Sequence, residues 1–264
     1  MRRQVGRLAN VSAERVREEL TGLLCGRFAQ RALLEYADIV TAALPELTPM
    51  VGCVQQHPYH RYEVWEHSVR ALGQVPADPG LRWAMLLHDS GKPACKTVDE
   101  NGVGHFYGHP KVSREIAAGL TRRLRFSNEQ TARILLLVEQ HDRPLGDNDK
   151  LVRRRLAQIG EARFRDLLAV KKGDAVGQDT HPEDIGLLLE TERRLAAVLA
   201  QDACLSLRQL AVNGDDMQAL GLSGPAVGEM LRALLDAVLD GELDNARAAL
   251  LAHARARMEG AYDE

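Results

Sequence analysis

Histidine and aspartate residues on apolar helical faces are the part of this sequence that could do chemistry. His88 shares a predicted helical face with Leu81 and Met85, at i−7 and i−3. His141 and Asp174 follow apolar residues at the same helical spacing. An inward carboxylate is costly unless it meets a cation or hydrogen-bond donors. Imidazole nitrogen and carboxylate oxygen are common metal ligands, so a shared divalent metal ion would satisfy all three side chains.

Several inward-facing histidine and aspartate residues occur in one chain, and their joint occurrence favours a shared metal site over the ordinary role of each residue alone. One histidine on an apolar face is usually a hydrogen-bonded core residue, and one inward aspartate is usually a helix cap or an ion-pair partner. Here His67, the adjacent pair His88 and Asp89, and Asp174 occur in one chain, and two further candidate ligands, His109 and His141, lie between them. We therefore expect four side chains from separate helices to surround one cation.

The elements that position these residues are predicted to be helices joined by loops. Aromatic residues make up only 4% of the chain, so Leu, Ala and Val must build the core, and Leu and Ala are good helix formers. Alternating apolar and polar runs are lacking, so strand content should be very low and the fold all-α. The segment 97–109 is predicted to be mostly loop. The predicted helices cover about 11–44, 62–72, 79–89, 110–124, 127–141, 149–158, 161–176, 182–201 and a stretch from 225 onwards.

Composition narrows the class of protein. The chain has 264 residues and a formal net charge of −3, which does not indicate bulk nucleic-acid binding. No signal peptide and no apolar run of about 20 residues is present, so we expect no membrane span. The four cysteines are far apart and predict a reduced, cytoplasmic protein without a disulfide framework. The sequence leaves a homodimer open.

The residues around the His-Asp pair resemble a known superfamily. His88-Asp89-Ser90-Gly91-Lys92-Pro93 resembles the HD-x-G-K-P element of the HD phosphohydrolases, with serine in place of the commoner isoleucine. His67 and Asp174, in their local segments, resemble the first and last metal ligands of that superfamily. The resemblance implies an HD-domain helical bundle with N-terminal and C-terminal helical extensions. It implies a mononuclear site formed by His67, His88, Asp89 and Asp174.

Further roles follow for neighbouring residues. His109 and His141 resemble the extra histidines of dinuclear members, which would bind a second metal with Asp89 as the bridge. The metal would be Mn, Ni, Co, Fe, Zn or Mg, with one or two ions per chain. Asp89 is also a candidate catalytic residue that steers the proton of the attacking water. Lys92 and Arg143 could hold a phosphate group, and Lys92 is a second candidate catalytic residue, although both could equally be ordinary surface residues.

A closer resemblance covers nearly the whole chain. The segments His57–His67, Gly104–His109 and Arg125–Asn128 resemble the bacterial tRNA nucleotidyltransferase (CCA-adding enzyme) family. The start, Asn10–Arg15, resembles the neck and body helices of that family, and the segment from Gly221 to Leu243 resembles its tail. The resemblance implies tRNA as a partner.

The head of that family, which holds two magnesium ions and a nucleotide, is expected to be missing here. That head carries a Gly-Ser element and an Asp-x-Asp on strands. Asp147-Asn148-Asp149 is the one Asp-x-Asp in this sequence, and it follows Gly146 in a predicted loop. We interpret it as a turn or helix N-cap, so nucleotide addition by this chain alone is not expected.

Two classes of function therefore compete. In the first, a metal held by the His and Asp residues acidifies a bound water, and the resulting hydroxide hydrolyses a nucleotide or RNA-end phosphoester such as a 2′,3′-cyclic phosphate. In the second, the chain is a non-catalytic tRNA-binding module or the head-less subunit of a split CCA-adding enzyme. The first explains why a buried ligand set would be present, and the second requires only a binding surface.

Three segments are predicted along the chain. Residues 1–50 form an N-terminal neck-like helical segment, 51–202 an HD metal-binding domain and 203–264 a helical tail. An apolar stripe of helical period from Val227 to Leu239 predicts packing within that tail. Two basic runs, 122–125 and 153–155, could follow RNA phosphates or simply be solvated helix faces.

Overall fold

The fold is helical, as the sequence predicts. The computed structural model describes residues 11–57, 61–178, 182–201 and 203–260, and this part of the chain contains thirteen α-helices and one pair of short strands. The all-α prediction is confirmed. Asn10 and Pro58–His60, which belong to the family-like segments, lie outside the described residues, as does the rest of the segment 1–10.

The chain divides into two compact units, one formed by Met1–Arg143 with Arg165–Leu188 and one by Pro144–Phe164 with Leu189–Glu264. The described helices and strands, in chain order, are α1 Ala13–Cys25, α2 Ala29–Glu35, α3 Ala37–Ala43, α4 Val64–Gln74, α5 Pro79–Leu87, α6 Lys92–Cys95, β1 Thr97–Val98, β2 Gly104–His105, α7 His109–Arg123, α8 Asn128–Gln140, α9 Asp149–Gln178, α10 Pro182–Ala200, α11 Gly214–Ala219, α12 Pro225–Asp240 and α13 Arg247–Gly260. A 3₁₀ helix, Pro45–Met50, follows α3.

Local signals explain where the helices of the first unit begin. Ser12 caps α1 by accepting a hydrogen bond from the backbone N–H of Arg15. Asp78 caps α5 in the same way, immediately before the proline in its first turn. Ser127 and Gln130 form a reciprocal capping box at the start of α8. These caps satisfy backbone N–H groups that have no partner inside a helix, and they set the register of the helices that carry the histidines.

Two glycines let α9 approach α4 closely. A Cβ atom on Gly177 would lie 2.7–2.8 Å from the Cβ, Cα and backbone N of Ala71, and one on Gly173 would lie 2.7 Å from Val75 Cγ1. Only glycine fits at such distances, so the two helices cross with little side chain between them. Asp174 lies between these glycines on α9, which brings its carboxylate near the residues of α4.

The segment 97–109 differs in part from the prediction. It contains a short antiparallel hairpin in which Thr97 pairs with His105 and Val98 with Gly104. The strands are only two residues long, too short for the alternation that a sequence reading requires. The backbone N–H of Gly104 also donates to the carbonyl of Gln56 at 2.8 Å. This hairpin therefore follows from a tertiary contact and not from its own sequence pattern.

The second unit has its own core. Met217, Met230, Leu234 and Leu250 are buried together there, and Val227, Leu231, Leu235 and Val238 of the α12 stripe pack against them. The prediction that this stripe serves packing is confirmed. Gly160, with φ of 77°, interrupts α9 between the two helices predicted at 149–158 and 161–176.

The Asp-x-Asp segment caps α9. The side chain of Asn148 accepts a hydrogen bond from the backbone N–H of Leu151 at 2.9 Å, and Asp149 pairs with Arg194 at 3.0 Å. The expectation of a capping turn is confirmed, because Asp147 lies in the bend before α9, Asn148 caps the helix and Asp149 begins it.

The two basic runs are largely engaged within the protein. Arg123 makes two hydrogen bonds to the carboxylate of Glu46, and Arg125 pairs with Glu14 at 2.7 Å. Arg154 pairs with Asp240, and Arg153 donates to the carbonyl of Leu239. These contacts favour the interpretation of both runs as helix faces that stabilise the fold.

All four cysteines are free, as predicted. None of the described helices combines the length and the apolar composition needed to cross a bilayer.

Candidate metal centre

Three histidines of the first unit are held in the same way, by a hydrogen bond from Nδ1 to a backbone carbonyl. His88 and His141 each follow the last residue of a helix, and each Nδ1 donates to the carbonyl three residues earlier, at 2.7 Å in both cases. These carbonyls belong to the last turn of a helix, where no backbone N–H is available. His109, which begins α7 after Gly108 (φ 76°), donates from Nδ1 to the carbonyl of Phe106 at 2.9 Å.

These hydrogen bonds determine which ring nitrogen of each histidine carries the lone pair. A carbonyl can only accept a hydrogen bond, so Nδ1 of each histidine carries the proton and the lone pair of the neutral ring is on Nε2. The Nε2 atoms of His109 and His141 lie 3.3 Å apart, as do those of His67 and His88. Histidines that bind metals are typically oriented by such a contact of the other ring nitrogen.

Asp89 lies between the two histidine pairs, and its two oxygens face different groups. Oδ2 lies 3.3 Å from Nε2 of His88 and 3.5 Å from that of His67. Oδ1 lies 3.2 Å from Nε2 of His109 and 3.8 Å from that of His141. One carboxylate thus joins two sets of ligand atoms, and within each set these atoms lie within 4.8 Å of one another.

Asp174 completes the first set from α9. Its Oδ1 lies 2.8 Å from Nε2 of His67 and 3.4 Å from that of His88. The side chain is 21% exposed, whereas His67, His88 and Asp89 are almost fully buried. All six residues predicted as ligands therefore meet at one place, which opens to solvent on the side of Asp174.

The donor set fits a divalent cation. Both oxygens of Asp89 and Oδ1 of Asp174 are buried, and among the described residues none accepts a hydrogen bond of ordinary geometry. Buried carboxylates left in this state are strongly destabilising unless a positive charge compensates them. Imidazole nitrogen and carboxylate oxygen together suit Mn, Fe, Co, Ni or Zn. The residues present are thus able to hold one or two such ions.

The electrostatics of the cluster show how it is balanced without a metal. Burial opposes the charged form of His88, but the facing carboxylates of Asp89 and Asp174 outweigh it and raise the pKa of His88 to about 10. Burial, assisted by the nearby His88, lowers the pKa of His141 to about 4. Burial alone would raise the pKa of Asp89 and Asp174, but the imidazoles hold both pKa values well below the usual range, with Lys92 adding to the effect on Asp89. A protonated His88 therefore offsets part of the negative charge.

Lys92 is buried, and the structure excludes the surface position that the sequence left open. Its Nζ donates to Oε1 of Gln55 at 2.9 Å and lies 2.7 Å from Oδ2 of Asp89 and 5.4 Å from the centre of the Phe106 ring. Arg143 is exposed and does not line the cavity at the cluster. The structure therefore brings Lys92, but not Arg143, to the candidate site.

A cavity of about 290 Å³ opens onto the cluster. Sequence reasoning missed several of its determinants. Gln55 is buried and holds Lys92, and Ser113 accepts a hydrogen bond from the backbone N–H of Gly91 at 2.8 Å. His57, His105 and Tyr107 line the mouth. The family-like segments contain His57, His105 and Tyr107, but no spacing rule assigns a residue of these segments to the cavity.

Two family models match this chain. One, described as "tRNA nucleotidyltransferase domain 2 putative", matches residues 107–254, which is more than half of the chain. The other, described as "Probable RNA and SrmB- binding site of polymerase A", matches residues 1–50.

Curated relatives agree with the first model. The chain is 36% identical over 253 residues to the A-adding tRNA nucleotidyltransferase of Deinococcus radiodurans, covering 91% of this chain and 57% of the relative. It is 34% identical over 252 residues to the CC-adding tRNA nucleotidyltransferase of Thermus thermophilus, with 90% and 56% covered. It is 27% identical over 241 residues to the Multifunctional CCA protein of Xanthomonas euvesicatoria pv. vesicatoria, with 86% and 55% covered. The chain thus spans just over half the length of these relatives, and by sequence it belongs to the tRNA nucleotidyltransferase domain 2 family.

Proposed function

We propose that this chain serves in building or maintaining the 3′ end of tRNA, as the tRNA-binding part of a CCA-adding type nucleotidyltransferase. The observation that carries the proposal is a similarity that runs through about nine-tenths of the chain to relatives named for adding A and CC to tRNA. The head that transfers nucleotides would come from another part of a longer polypeptide or from a separate chain. A module that only binds tRNA is the simpler form of the same proposal.

Binding to tRNA tests this proposal directly. A labelled tRNA transcript and an unstructured RNA of the same length are titrated with the chain, and fluorescence anisotropy is measured at several salt concentrations. We expect a preference for tRNA of at least about tenfold, with affinity that falls as salt rises because phosphate contacts release counterions. Equal affinity for both RNAs would contradict the proposal. Co-purification with a nucleotidyltransferase head then separates an assembled enzyme from a binding module.

A second function is favoured by the buried cluster itself. We infer that the cluster holds one or two divalent cations in the manner of an HD phosphohydrolase and hydrolyses nucleotide or RNA-end phosphoesters. A module that only binds RNA has no need of six converging ligand-type side chains, whose carboxylates contribute three buried oxygens without a hydrogen bond of ordinary geometry. His67, His88, Asp89 and Asp174 would hold the first ion, and Asp89, His109 and His141 the second. A bound ion supplies an acidified water and neutralises charge on the phosphate oxygens.

Lys92, Asp89 and three of the histidines would each have a specific role in this hydrolysis. Lys92 uses one N–H on Gln55 and faces Asp89 with a second, so its third N–H is available to a phosphate oxygen in the cavity. Oδ2 of Asp89, fixed by Lys92, is placed to accept a proton. The Nδ1 contacts of His88, His109 and His141 keep the three rings in orientation while the cavity fills.

Phosphoester hydrolysis tests the second function. Turnover of 2′,3′-cyclic AMP and bis-p-nitrophenyl phosphate is followed with Mn²⁺, Co²⁺ or Ni²⁺ for the wild type and for His88→Gln. We expect metal-dependent turnover that the substitution abolishes, whereas His253→Gln in α13, a histidine of the second unit, leaves it unchanged. No metal-dependent turnover, together with no bound metal by elemental analysis, would argue for a chain that only binds tRNA.

A further inference from the structure

The mouth of the cavity carries an exposed aromatic ring. Tyr107 is 80% exposed, the largest exposure among the large hydrophobic residues reported for the described chain, which is poor in aromatic residues. It lines the cavity together with Asp89 and Lys92. An aromatic ring this exposed gains little from packing, so its position suggests contact with a ligand.

The ring of Tyr107 is held in place by the neighbouring His105. It stacks on the imidazole of His105 with an angle of 7° between the planes and 5.4 Å between the centroids, and its hydroxyl lies 3.4 Å from His105 Nδ1. The imidazole is itself fixed, because Nε2 of His105 lies 2.9 Å from Oδ2 of Asp99. Asp99 Oδ1 accepts hydrogen bonds from the backbone of the same hairpin, at Asn101 and Val103. The ring is thus supported by His105, while most of its surface remains exposed.

The cavity and the Tyr107 ring would contact two different parts of a bound ligand. At about 290 Å³ the cavity is near the lower limit for small-molecule sites, about 300 Å³, so it accommodates a phosphate and a sugar but not an RNA helix. A group bonded to that sugar would emerge at the mouth. There the exposed ring of Tyr107 offers a flat surface on which any base can stack, because every base has a π-face.

We propose that Tyr107, supported by His105, is the platform on which the nucleobase of the substrate stacks, so that the site prefers nucleotides and RNA ends over phosphoesters that lack a base. The inference rests on the proposed phosphoester chemistry of the same cavity. It names the substrate class and one residue that selects it. Because stacking reads no base edge, the preference should extend to all four bases.

AMP and ribose 5-phosphate form a matched pair of ligands for the test, since they differ only by the base. With Mn²⁺ present, affinity is measured by calorimetry if the ligands stay intact, and as KM if they are turned over. We expect the wild type to favour AMP by about tenfold, the size of one base stacked on an aromatic ring. Tyr107→Ala should remove that preference, and Tyr107→Phe should keep it. Phe28→Ala, which removes another exposed aromatic residue away from the cavity, should leave it unchanged.

The outcomes separate this inference from the proposed hydrolysis. A wild type that binds AMP more tightly than ribose 5-phosphate but turns over neither AMP nor 2′,3′-cyclic AMP would contradict the hydrolysis and support the platform. Equal affinity for the two ligands, or an AMP preference that survives in Tyr107→Ala, would overturn the platform whether or not turnover occurs. Unchanged circular dichroism and melting temperature of Tyr107→Ala would show that the fold is intact.

Discussion

The carboxylate of Asp89 lies among four imidazoles and one ammonium group, and it is the group that joins the two sets of candidate ligands. Oδ2 faces His88 and Lys92, and Oδ1 faces His109. If a cation occupies this place, the negative charge of Asp89 is the ligand shared by both sets. Removing the charge while keeping the shape should therefore affect metal binding more than it affects the fold.

Asp89→Asn tests this at the level of one atom. We expect its content of Mn, Co or Ni after loading and desalting to fall at least about tenfold, the lower end of what a lost ligand or its support costs in affinity. Inductively coupled plasma mass spectrometry gives the metal content per chain. Asp142→Asn is the matched control, since Asp142 is exposed and lines the same cavity. Equal metal content in both variants would place the metal elsewhere.

The buried contact of Lys92 with Asp89 leads to a prediction about the free energy of unfolding. Replacing it with Met keeps the volume but leaves Oδ2 of Asp89 and Oε1 of Gln55 without their cation. Breaking a buried ion pair from one side typically costs about 3–5 kcal/mol, so we expect Lys92→Met to lower the free energy of unfolding by about 3 kcal/mol. Urea denaturation of the metal-free protein measures it, with the exposed Lys111→Met expected to stay within about 0.5 kcal/mol. A stable Lys92→Met variant would mean that other groups compensate Asp89.

Among the helices, the crossing of α4 and α9 brings His67 into contact with Asp174. Gly177→Ala would place a methyl group within 2.8 Å of the backbone of Ala71 and push the helices apart. Overpacking of this kind costs about 1–3 kcal/mol, and we expect the affinity for metal to fall as well. Chemical denaturation and metal titration measure the two effects.

Gly119→Ala in α7 is the control for this prediction. A Cβ at Gly119 meets no atom within 4 Å, so alanine there should stabilise the protein by roughly 0.5–1 kcal/mol through helix propensity alone. If Gly177→Ala were as stable as Gly119→Ala, the close approach of α4 and α9 would not constrain the site.

The helices, the site residues and the hairpin differ in how far the sequence predicts them. Helix positions follow from local signals, and the apolar period from Val227 to Leu239 predicts the packed helix that the structure shows as α12. The convergence of His88 with Asp174 was anticipated from a resemblance and from inward-facing positions. The partnership of Lys92 with Gln55 was not, because it joins two residues 37 positions apart through a loop without periodicity. The β1–β2 hairpin was not predicted because its strands are only two residues long, too short to show an alternating pattern.

For the whole molecule, hydrogen exchange can show where a cation acts without any substitution. A ligand that binds only the closed form raises the opening free energy by RT ln(1 + [L]/Kd), about 2.7 kcal/mol at a hundredfold excess over Kd. Amides that exchange only when the site opens should then exchange about 100 times more slowly. We expect this slowing in α4, α5, α8 and the part of α9 that carries Asp174, since these helices supply or directly precede the ligand-type residues.

The second unit provides an internal reference in the same experiment. The buried residues of α12 belong to a separate core, so its amides should keep their exchange rates when Mn²⁺ is added. Asp89→Asn should lose the slowing at α4 and α5 while α12 stays as it was. Slowing that is spread evenly over both units, or that persists in Asp89→Asn, would show that the cation binds outside the cluster, and the phosphoester hydrolysis would then lose its structural basis while tRNA binding would not.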